Sequence, residues 1–445
     1  MIWLWITLCV AITAFLLRGK NIAPHNFMWA LIPIDRYGIT LMGFVIKPIY
    51  IFSLLLLAYY VISGKFRLKT PRFVFISTLL FTIPVVTVSL IRGGVGVGSD
   101  VSVYGIFFFT IFCAMTSMSL LDKPDDLRQI KDVLIATAVG YGIVFLSLYV
   151  LYTLGIELPD VMGDTVTDNS VFRVFSTMHD GTHIVSLRLR GFFNDANASN
   201  LCFISGLTAL LFNWINEGKS IKNILFSLII LVNIVLTSSR TALIIAFFII
   251  IITIFKFLTS STTMSKRKMV FISIVILMIS ASFIFLLYTK KSPLSIFNSL
   301  FERYNNRSQL NDRFGRISIW RDVLSLFKEN WYAGVGIGRI KLLTDTERDA
   351  HNTIIELICS SGIFVGIYYI MYFLSAFVFA FKPKPADSNT KSLIQMLYIT
   401  YLCLIILLTF ITGIASVYLI YTAFLLFNIP RILENQNELS VSDLK

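Results

Sequence analysis

Long apolar runs separated by short polar segments make up most of this chain. Because about 17 to 25 apolar residues suffice for one helical crossing of a bilayer, the pattern predicts an all-α polytopic membrane protein of about twelve transmembrane helices. The first run lacks the basic start and small-residue cleavage site of a signal peptide, so we expect it to be retained as a span. The runs cover residues 2–17, 41–63, 73–91, 103–121, 133–156, 199–215, 222–238, 241–258, 269–289, 352–381, 393–412 and 414–429.

The distribution of basic residues between these runs predicts the orientation of the protein. Short cytoplasmic loops are enriched in Lys and Arg, and placing the basic short loops inside puts both termini in the cytoplasm. Two longer polar segments, 158–198 and 290–350, then become outer loops of a single domain that spans residues 1–445. The basic loops contain Lys65, Arg67, Lys69 and Arg72; Lys219 and Lys222; Lys266, Arg267 and Lys268; and Lys382 and Lys384.

Composition supports this class and excludes others. The chain is 56% hydrophobic and 14% charged, whereas soluble domains carry about a quarter charged residues. The net charge of +13 comes from residues spread between apolar runs, which does not suit nucleic-acid binding. The five cysteines are scattered in or beside apolar runs, so we predict neither a disulfide framework nor a metal site. No cofactor is predicted.

The loop over 290–350 carries an unusual charge for an outer segment. It has eleven Lys or Arg residues and seven acidic residues, and the surplus of positive charge predicts an anionic partner. Residues 312–328 are predicted to form an amphipathic helix on the membrane surface, with Ile317, Trp320, Leu324 and Phe327 at helical spacing. The chain then breaks at the glycines of 334–338 before it returns to the membrane.

Two arginines at the predicted outer boundary are candidate phosphate ligands. Arg240 stands in a turn of about four residues between two apolar helices, and Arg190 precedes a turn-rich segment that leads into the next helix. A guanidinium can bind phosphate oxygens through two parallel hydrogen bonds. Alternatively, Arg240 extends its side chain to the membrane interface without binding a ligand, and Arg190 is a solvated loop residue.

A histidine begins the apolar run that follows the large outer loop. Asp349 is predicted as the N-cap, which puts His351 in the first helical turn, with Asn352 and Glu356 on a common face. The positive end of the helix favours a neutral imidazole, which could accept a proton as a general base. A structural histidine at the interface is the alternative. His179 and His183 could form a metal pair, but the intervening Asp-Gly-Thr argues against a helix there.

These motifs, taken in order, resemble the O-antigen ligase and polymerase superfamily of bacterial envelope glycosyltransferases. The resemblance covers about residues 70–430. It is carried by four ordered pieces: Arg190-Gly191-Phe192-Phe193 with Asp195-Ala196-Asn197; Ser239-Arg240-Thr241-Ala242; Arg313 with Arg316 and Trp320; and Gly334-Val335-Gly336 followed by His351-Asn352 and Gly362-Ile363-Phe364-Val365-Gly366.

The resemblance implies a fold of the GT-C type and a metal-independent transferase on the outer face of the bacterial inner membrane. The implied donor is an oligosaccharide on undecaprenyl pyrophosphate. Arg190 and Arg240 would bind the pyrophosphate together with Arg313 or Arg316, and His351 would act as the base or orient the acceptor, with Asp195, Asp349 and Glu356 as further candidates for the base. The remaining predicted substrate-binding residues are Asn197, Trp320 and Asn352.

Within the superfamily we favour a Wzy-type polysaccharide polymerase of O-antigen or capsule assembly. The segment from Arg190 to Asn197 resembles the polymerase pattern, and position 349 is Asp where many ligases would carry a second histidine. A ligase that transfers the chain to lipid A core remains the alternative. A flippase for lipid-linked oligosaccharides is less favoured, because few charges fall within the spans. A chain-length regulator is a predicted protein partner.

Overall fold

The structure is a computed structural model of the full chain. It describes residues 2–34, 37–41, 44–66, 71–92, 97–154, 156, 175–180, 183–193, 195–216, 220–237, 239–260, 316–336, 339–344, 350–381, 387–409 and 416–442. The predicted span at 269–289 lies outside the described residues.

Helices account for most of the described chain, together with two short antiparallel hairpins. The helices are α1 (Ile2–Leu16), α2 (Pro24–Phe27), followed by a 3-10 turn (Met28–Leu31), α3 (Pro48–Ile62), α4 (Arg72–Arg92), α5 (Val97–Met118), α6 (Pro124–Thr153), α7 (Asn200–Asn216), α8 (Ile221–Leu236), α9 (Arg240–Ser260), α10 (Arg316–Asn330), α11 (Ile340–Leu343), α12 (Thr353–Ser361), α13 (Ile363–Phe381), α14 (Ser388–Leu408) and α15 (Val417–Ser442). The hairpins pair β1 (Ile39–Leu41) with β2 (Phe44–Ile46) and β3 (Phe175–Asp180) with β4 (His183–Leu189).

The predicted fold class is confirmed: the chain is an all-α polytopic membrane protein. Four described helices are long and apolar enough to cross a bilayer, namely Pro124–Leu151, Ile363–Ala380, Ser388–Leu408 and Val417–Asn435. Shorter apolar helices accompany them. Apolar side chains of α1, α3 and α8 are exposed on the protein surface, including Leu4, Leu55 and Leu225, as expected for helices that face lipid.

Helix α15 distinguishes the two ends of the bundle. Near its start, the ring of Tyr418 lies 6.3 Å from that of Phe193. Further along, Arg431 donates hydrogen bonds to the backbone carbonyls of Met118 and Ser119. Because thirteen residues of helix rise about 20 Å, these contacts mark opposite ends. We call the end with Phe193 the site end and the end with Arg431 the opposite end.

Helix α1 runs antiparallel to α6. A Cβ at Gly140 would lie 2.7 Å from Thr13 Oγ1, while Lys20 Nζ lies 2.7 Å from Asp132 Oδ2, nearer the start of α6. The start of α1 therefore points to the site end, whereas the later part of α15 lies at the opposite end. This differs from the prediction that both termini face one side.

The difference arises from a short crossing that hydropathy did not reveal. His25 Nε2 lies 3.1 Å from Asp126 Oδ1 at the opposite end, whereas the ring of Tyr37 lies 5.6 Å from that of Phe192 at the site end. The chain between them passes from one end to the other with only α2 and a 3-10 turn. Such irregular backbone is tolerated at membrane depth when protein surrounds it, and Trp29 and Ala30 are buried.

Two predicted spans differ from the structure in detail. The run at 41–63 is a hairpin strand followed by α3, because Pro48 fills the first helical position and favours a helix start there. The run at 352–381 is divided into α12 and α13 at Gly362, whose φ of 80° cannot continue a helix. The predicted outer loop at 158–198 contains the β3–β4 hairpin.

Small residues let α6, α7 and α8 pack closely. A Cβ at Gly206 on α7 would lie 2.2 Å from the Cβ of Ala138 on α6. Asn233 of α8 donates a hydrogen bond to the carbonyl of Gly142 at 3.1 Å. Close approach of helices through glycine and interhelical hydrogen bonds are typical of membrane bundles. This packing fixes the ends of α7 and α8, and therefore the two arginine segments attached to them.

Candidate functional site

Arg190 follows β4 in a segment anchored by a buried aromatic side chain. Phe192 is fully buried, and its ring makes edge contacts with Tyr37, Tyr141 and Phe145 at centroid distances of 5.6, 5.8 and 5.2 Å. Gly191 allows the chain to turn towards this cluster with a φ of 62°. The sequence Arg-Gly-Phe-Phe therefore holds Arg190 at the site end by inserting Phe192 into the bundle.

The guanidinium of Arg190 is half-buried and lies among polar groups. Burial lowers the pKa of Arg190, while Asp195 and Tyr37 raise it. An arginine stays protonated in proteins because its intrinsic pKa lies far above the physiological range. Arg190 is therefore a partly desolvated cation. Its charge interacts more strongly with an anion than the charge of an arginine in bulk water would.

Asp195 also shapes the turn that leads into α7. Its Oδ1 accepts a hydrogen bond from the backbone N–H of Asn197 at 2.5 Å, and its carbonyl accepts from the N–H of Ala198 at 3.0 Å. Asn197 is half-buried and its carbonyl accepts from the N–H of Asn200 at 3.2 Å. The predicted substrate residues Asp195 and Asn197 thus lie together with Arg190 at the start of α7.

The Arg190 segment is hydrogen-bonded to the turn that carries Arg240. Asn200 Nδ2 donates to Thr237 Oγ1 at 2.9 Å, and Arg188 Nε donates to the Thr237 carbonyl at 3.2 Å. Ser239 then caps α9, because its Oγ accepts from the N–H of Ala242 at 3.4 Å. Arg240 is the first residue of α9 and is exposed. Two arginine motifs that are far apart in sequence are therefore neighbours in the fold.

This arrangement creates a positively charged surface at the site end. The N-termini of α7 and α9 lie side by side, and the start of each helix carries unpaired backbone N–H groups and a partial positive charge. Helix N-termini of this kind bind phosphate groups. Arg190 and Arg240 add two full positive charges, which the carboxylate of Asp195 beside Arg190 offsets in part. The surface therefore suits a ligand with several negative oxygens.

A second group of predicted residues surrounds the start of α12. Ala350 is fully buried, and its carbonyl accepts a hydrogen bond from Trp320 Nε1 at 2.8 Å. Its N–H donates to Glu356 Oε2 at 2.8 Å. The side chain of Glu356 is itself buried, with 2% exposed. Trp320 and Glu356 therefore fix the backbone immediately before His351.

The position of His351 corrects the predicted helix start. Helix α12 begins at Thr353, and its N-cap is Asn352, whose Oδ1 accepts from the N–H groups of Ile354 and Ile355. His351 therefore precedes the helix instead of lying in its first turn. Asn352 is the cap because its own side chain reaches the first free N–H groups of the helix. The predicted cap, Asp349, lies outside the described residues.

His351 has an unusual backbone conformation. Its φ is 48°, and among the described residues it is the one non-glycine residue with positive φ. This left-handed conformation costs about 1–2 kcal/mol in an L-residue, and the hydrogen bonds of Ala350 and Asn352 on either side hold it in place. The imidazole is half-buried. Strain of this sort is often found at functional sites.

The segment Gly334-Val335-Gly336 supports the C-terminal end of α12. The N–H groups of Val335 and Gly336 donate to the carbonyls of Cys359 and Ser360 at 3.0 and 2.8 Å. These bonds satisfy carbonyls that the helix end would otherwise leave unpaired. Gly334 and Gly362 both have positive φ. The Gly-Val-Gly sequence therefore fixes α12 from its C-terminal end, a role that the predicted chain break did not include.

This role predicts a large loss of stability on substitution of Gly362. A Cβ there would lie 2.2 Å from the Tyr332 carbonyl oxygen, so Gly362→Ala combines a disfavoured φ with a backbone clash. We expect it to destabilise the protein by about 3 kcal/mol, measured by thermal unfolding of the purified protein. Gly64→Ala is the matched control, because Gly64 has a φ of 66° and an added Cβ meets nothing within 4 Å. Equal losses in the two variants would contradict this account.

Helix α10 packs on α12 with a different face from the one predicted. Ile319 and Val323 are buried against α12, whereas Leu324 is 47% exposed. Trp320 and Phe327 are partly buried in the same cluster. The buried face of α10 is therefore rotated relative to the predicted one, because Ala350 and α12, rather than lipid alone, cover this helix. Arg316 begins α10, its side chain lies outside the described residues, and Arg313 lies wholly outside them.

The α12 group lies towards the same end of the bundle as the arginines. Phe427 lies about one helical turn before Arg431 on α15, and therefore towards the opposite end. The ring of Phe379 near the end of α13 lies 5.6 Å from that of Phe427. The start of α13, and α12 before it, therefore point to the site end.

Sequence reasoning missed several residues that build this site. Asn200 and Thr237 join the two arginine segments. Ser239 was named only as part of a motif, and its role as the cap of α9 was not predicted. A signal was present, because a buried Asn at the start of an apolar run must find a hydrogen-bond partner. Among the described residues, no three His, Cys, Asp or Glu side chains group as a metal site would require.

Residues 225–370 match the family model described as O-Antigen ligase. The matched range includes Arg240, Trp320 and His351. No curated protein sequence matches the chain. This match, over about a third of the chain, supports the resemblance to the O-antigen ligase and polymerase superfamily predicted from the motifs.

Proposed function

We propose that this protein is a polysaccharide polymerase that joins oligosaccharide repeats carried on undecaprenyl pyrophosphate. The site end would face the outer surface of the bacterial inner membrane, where such donors are used. The observation that carries the proposal is the hydrogen-bonded pairing of the Arg190 segment with the Arg240 turn through Asn200 and Thr237. It supports one binding surface for a pyrophosphate group, formed from two arginines and two helix N-termini.

The reaction is an inverting glycosyl transfer. The bond between the anomeric carbon of the donor glycan and the pyrophosphate oxygen breaks, and a hydroxyl oxygen of the acceptor repeat bonds to that carbon from the opposite side. The electron pair leaves with undecaprenyl pyrophosphate, whose charge Arg190 and Arg240 stabilise. Electrostatic stabilisation of a leaving group in a partly desolvated site is among the largest contributions to catalysis.

His351 is the proposed acceptor of the proton from the attacking hydroxyl. The hydrogen bonds of Ala350 and Asn352 hold its backbone, so the imidazole is presented in a fixed orientation. Asp195 and Glu356 each already accept a backbone N–H, which suits a structural carboxylate better than a base. Asp349 remains a further candidate. Asn352 and Trp320 are proposed to act near the acceptor, Trp320 through its hold on Ala350.

A ligase is the second candidate, and the description of the matched family favours it. Both enzymes would use the same lipid-linked donor and the same pyrophosphate surface, and they would differ in the acceptor: a lipid-linked repeat for the polymerase, lipid A core for the ligase. Arg313 and Arg316 precede or begin α10, and we propose that one of them adds to the donor site. A chain-length regulator stays a predicted partner of the polymerase.

Reconstitution with defined substrates tests the proposal. The purified full chain is given lipid-linked repeats in detergent, with and without lipid A core, and the products are separated by length. We expect a ladder of longer lipid-linked chains without lipid A core. Product that forms only with lipid A core would identify the ligase, and no transfer under either condition would favour a transporter.

A further inference from the structure

A cavity of about 250 Å³ lies at the opposite end of the bundle, away from the arginines. It opens between the ends of α1 and α7 and the starts of α6 and α8. Its polar lining consists of Lys20, Asp132, Asn213, Ser220, Lys222 and Asn223. A water molecule occupies about 30 Å³ in the liquid, so the space exceeds what one or two waters fill. It is also smaller than the pockets of about 300–1,000 Å³ that hold drug-sized ligands.

Positive charge predominates around this cavity. Lys20 Nζ lies 2.7 Å and Lys131 Nζ 3.6 Å from the carboxylate of Asp132. Lys222 lines the cavity as well, with its Nζ 5.3 Å from the ring centre of Phe226. Among the described residues that line the cavity, Lys20 and Lys222 thus supply two ammonium groups, and Asp132 supplies one carboxylate, which pairs with Lys20. An anionic group would balance the charge of Lys222.

Asn213 supplies an independent observation. Its side chain is 8% exposed, and its Oδ1 is buried without a hydrogen-bond partner among the described residues. It lines the cavity. Buried polar atoms of native proteins are nearly always paired, so this carbonyl oxygen indicates a bound molecule that donates a hydrogen bond.

The surface beside the cavity is suited to acyl chains. Ile221, Ile224, Leu225 and Leu228 on α8 are all exposed and apolar. They begin beside Lys222 and continue along the helix, away from the bundle end. A cation at the head-group level followed by an exposed apolar helix face is the arrangement that binds phospholipids at membrane proteins.

We propose that this cavity binds the head group of an anionic glycerophospholipid, with phosphatidylglycerol as the type that fits. The phosphodiester lies near Lys222 and Lys20, a head-group hydroxyl donates to Asn213 Oδ1, and the acyl chains follow the exposed face of α8. The site is separate from the proposed pyrophosphate surface and does not depend on the enzymatic reaction.

Native mass spectrometry of the purified full chain tests the proposal with added phosphatidylglycerol, diacylglycerol or inorganic phosphate. We expect retention of phosphatidylglycerol and not of diacylglycerol, with no competition from inorganic phosphate at equal concentration. Lys222→Met should weaken binding about fivefold, because one lysine near an anionic lipid contributes on that order. Asn213→Leu, which nearly preserves volume, should also weaken it. Lys65→Met, an exposed lysine at the same end, is the matched control.

The proposal is overturned if Lys222→Met and Lys65→Met bind phosphatidylglycerol equally, or if diacylglycerol binds as well as the phospholipid. Competition by inorganic phosphate at equal concentration would also overturn it, since the site would then recognise a free anion. Retention of full binding by Asn213→Leu would contradict the assigned hydroxyl contact. Lys222 is close to the surface, so its substitution is informative even if Asn213→Leu does not fold.

Discussion

Replacement of Arg240 by Lys is expected to lower the rate of glycan transfer roughly a hundredfold. Lysine keeps the positive charge but loses the planar fork that makes two parallel hydrogen bonds to phosphate oxygens. Arg240 is exposed at the first position of α9, so the substitution should leave the fold intact. The measurement is the initial rate of chain elongation by the purified variant with lipid-linked repeats.

The matched control for this variant is Arg128→Lys. Arg128 is exposed at the opposite end, where it pairs weakly with Asp125 at 4.0 Å, and the same exchange there should leave the rate unchanged. Thermal unfolding of both variants separates a loss of chemistry from a loss of folding. A near-normal rate in Arg240→Lys would show that the arginine fork does not bind the leaving group.

Replacement of His351 by Asn is expected to lower the rate about a hundredfold or more while the protein stays folded. Asn tolerates positive φ better than most residues, so it should accept the backbone conformation at position 351, where φ is 48°. It cannot take up a proton near neutral pH. The rate of chain elongation, together with the melting temperature, measures both parts of the expectation.

Glu356→Gln provides the comparison for His351→Asn. The amide oxygen of Gln can still accept the hydrogen bond from the Ala350 N–H, so this variant removes the charge and keeps the contact. We expect it to retain more activity than His351→Asn. If His351→Asn were active and Glu356→Gln were not, the base would be the carboxylate, and the role of His351 would be wrong.

Hydropathy predicted most described helices but not how they are connected. Apolar runs at 199–215, 222–238 and 241–258 match α7, α8 and α9 within a few residues, because apolar length alone determines a crossing. The segment that crosses the bundle between His25 and Tyr37 has no such apolar run. It does not need one, because the surrounding helices separate it from lipid. Gly362 looked like part of one span because one glycine barely changes mean hydropathy, yet its φ of 80° ends α12.

The chemical types at the site were predictable, whereas their positions were not. Arg190, Arg240 and His351 are ionisable residues at the ends of apolar runs, a pattern that marks functional sites in membrane proteins. The pairing of Asn200 with Thr237 depends on how α7 packs on α8, which no local pattern specifies. The left-handed backbone of His351 likewise depends on Trp320, which is distant in sequence and bonds to Ala350.

Binding of undecaprenyl pyrophosphate tests most directly whether Arg190 and Arg240 form one pyrophosphate site. Affinities for undecaprenyl pyrophosphate and undecaprenyl monophosphate are measured for the purified wild type and for the Arg190→Lys/Arg240→Lys double variant. The account predicts that the wild type prefers the pyrophosphate by about tenfold or more, since hydrogen bonds to charged groups contribute about 1.5–3 kcal/mol each, and that the double variant loses this preference. An equal preference in both proteins would contradict it.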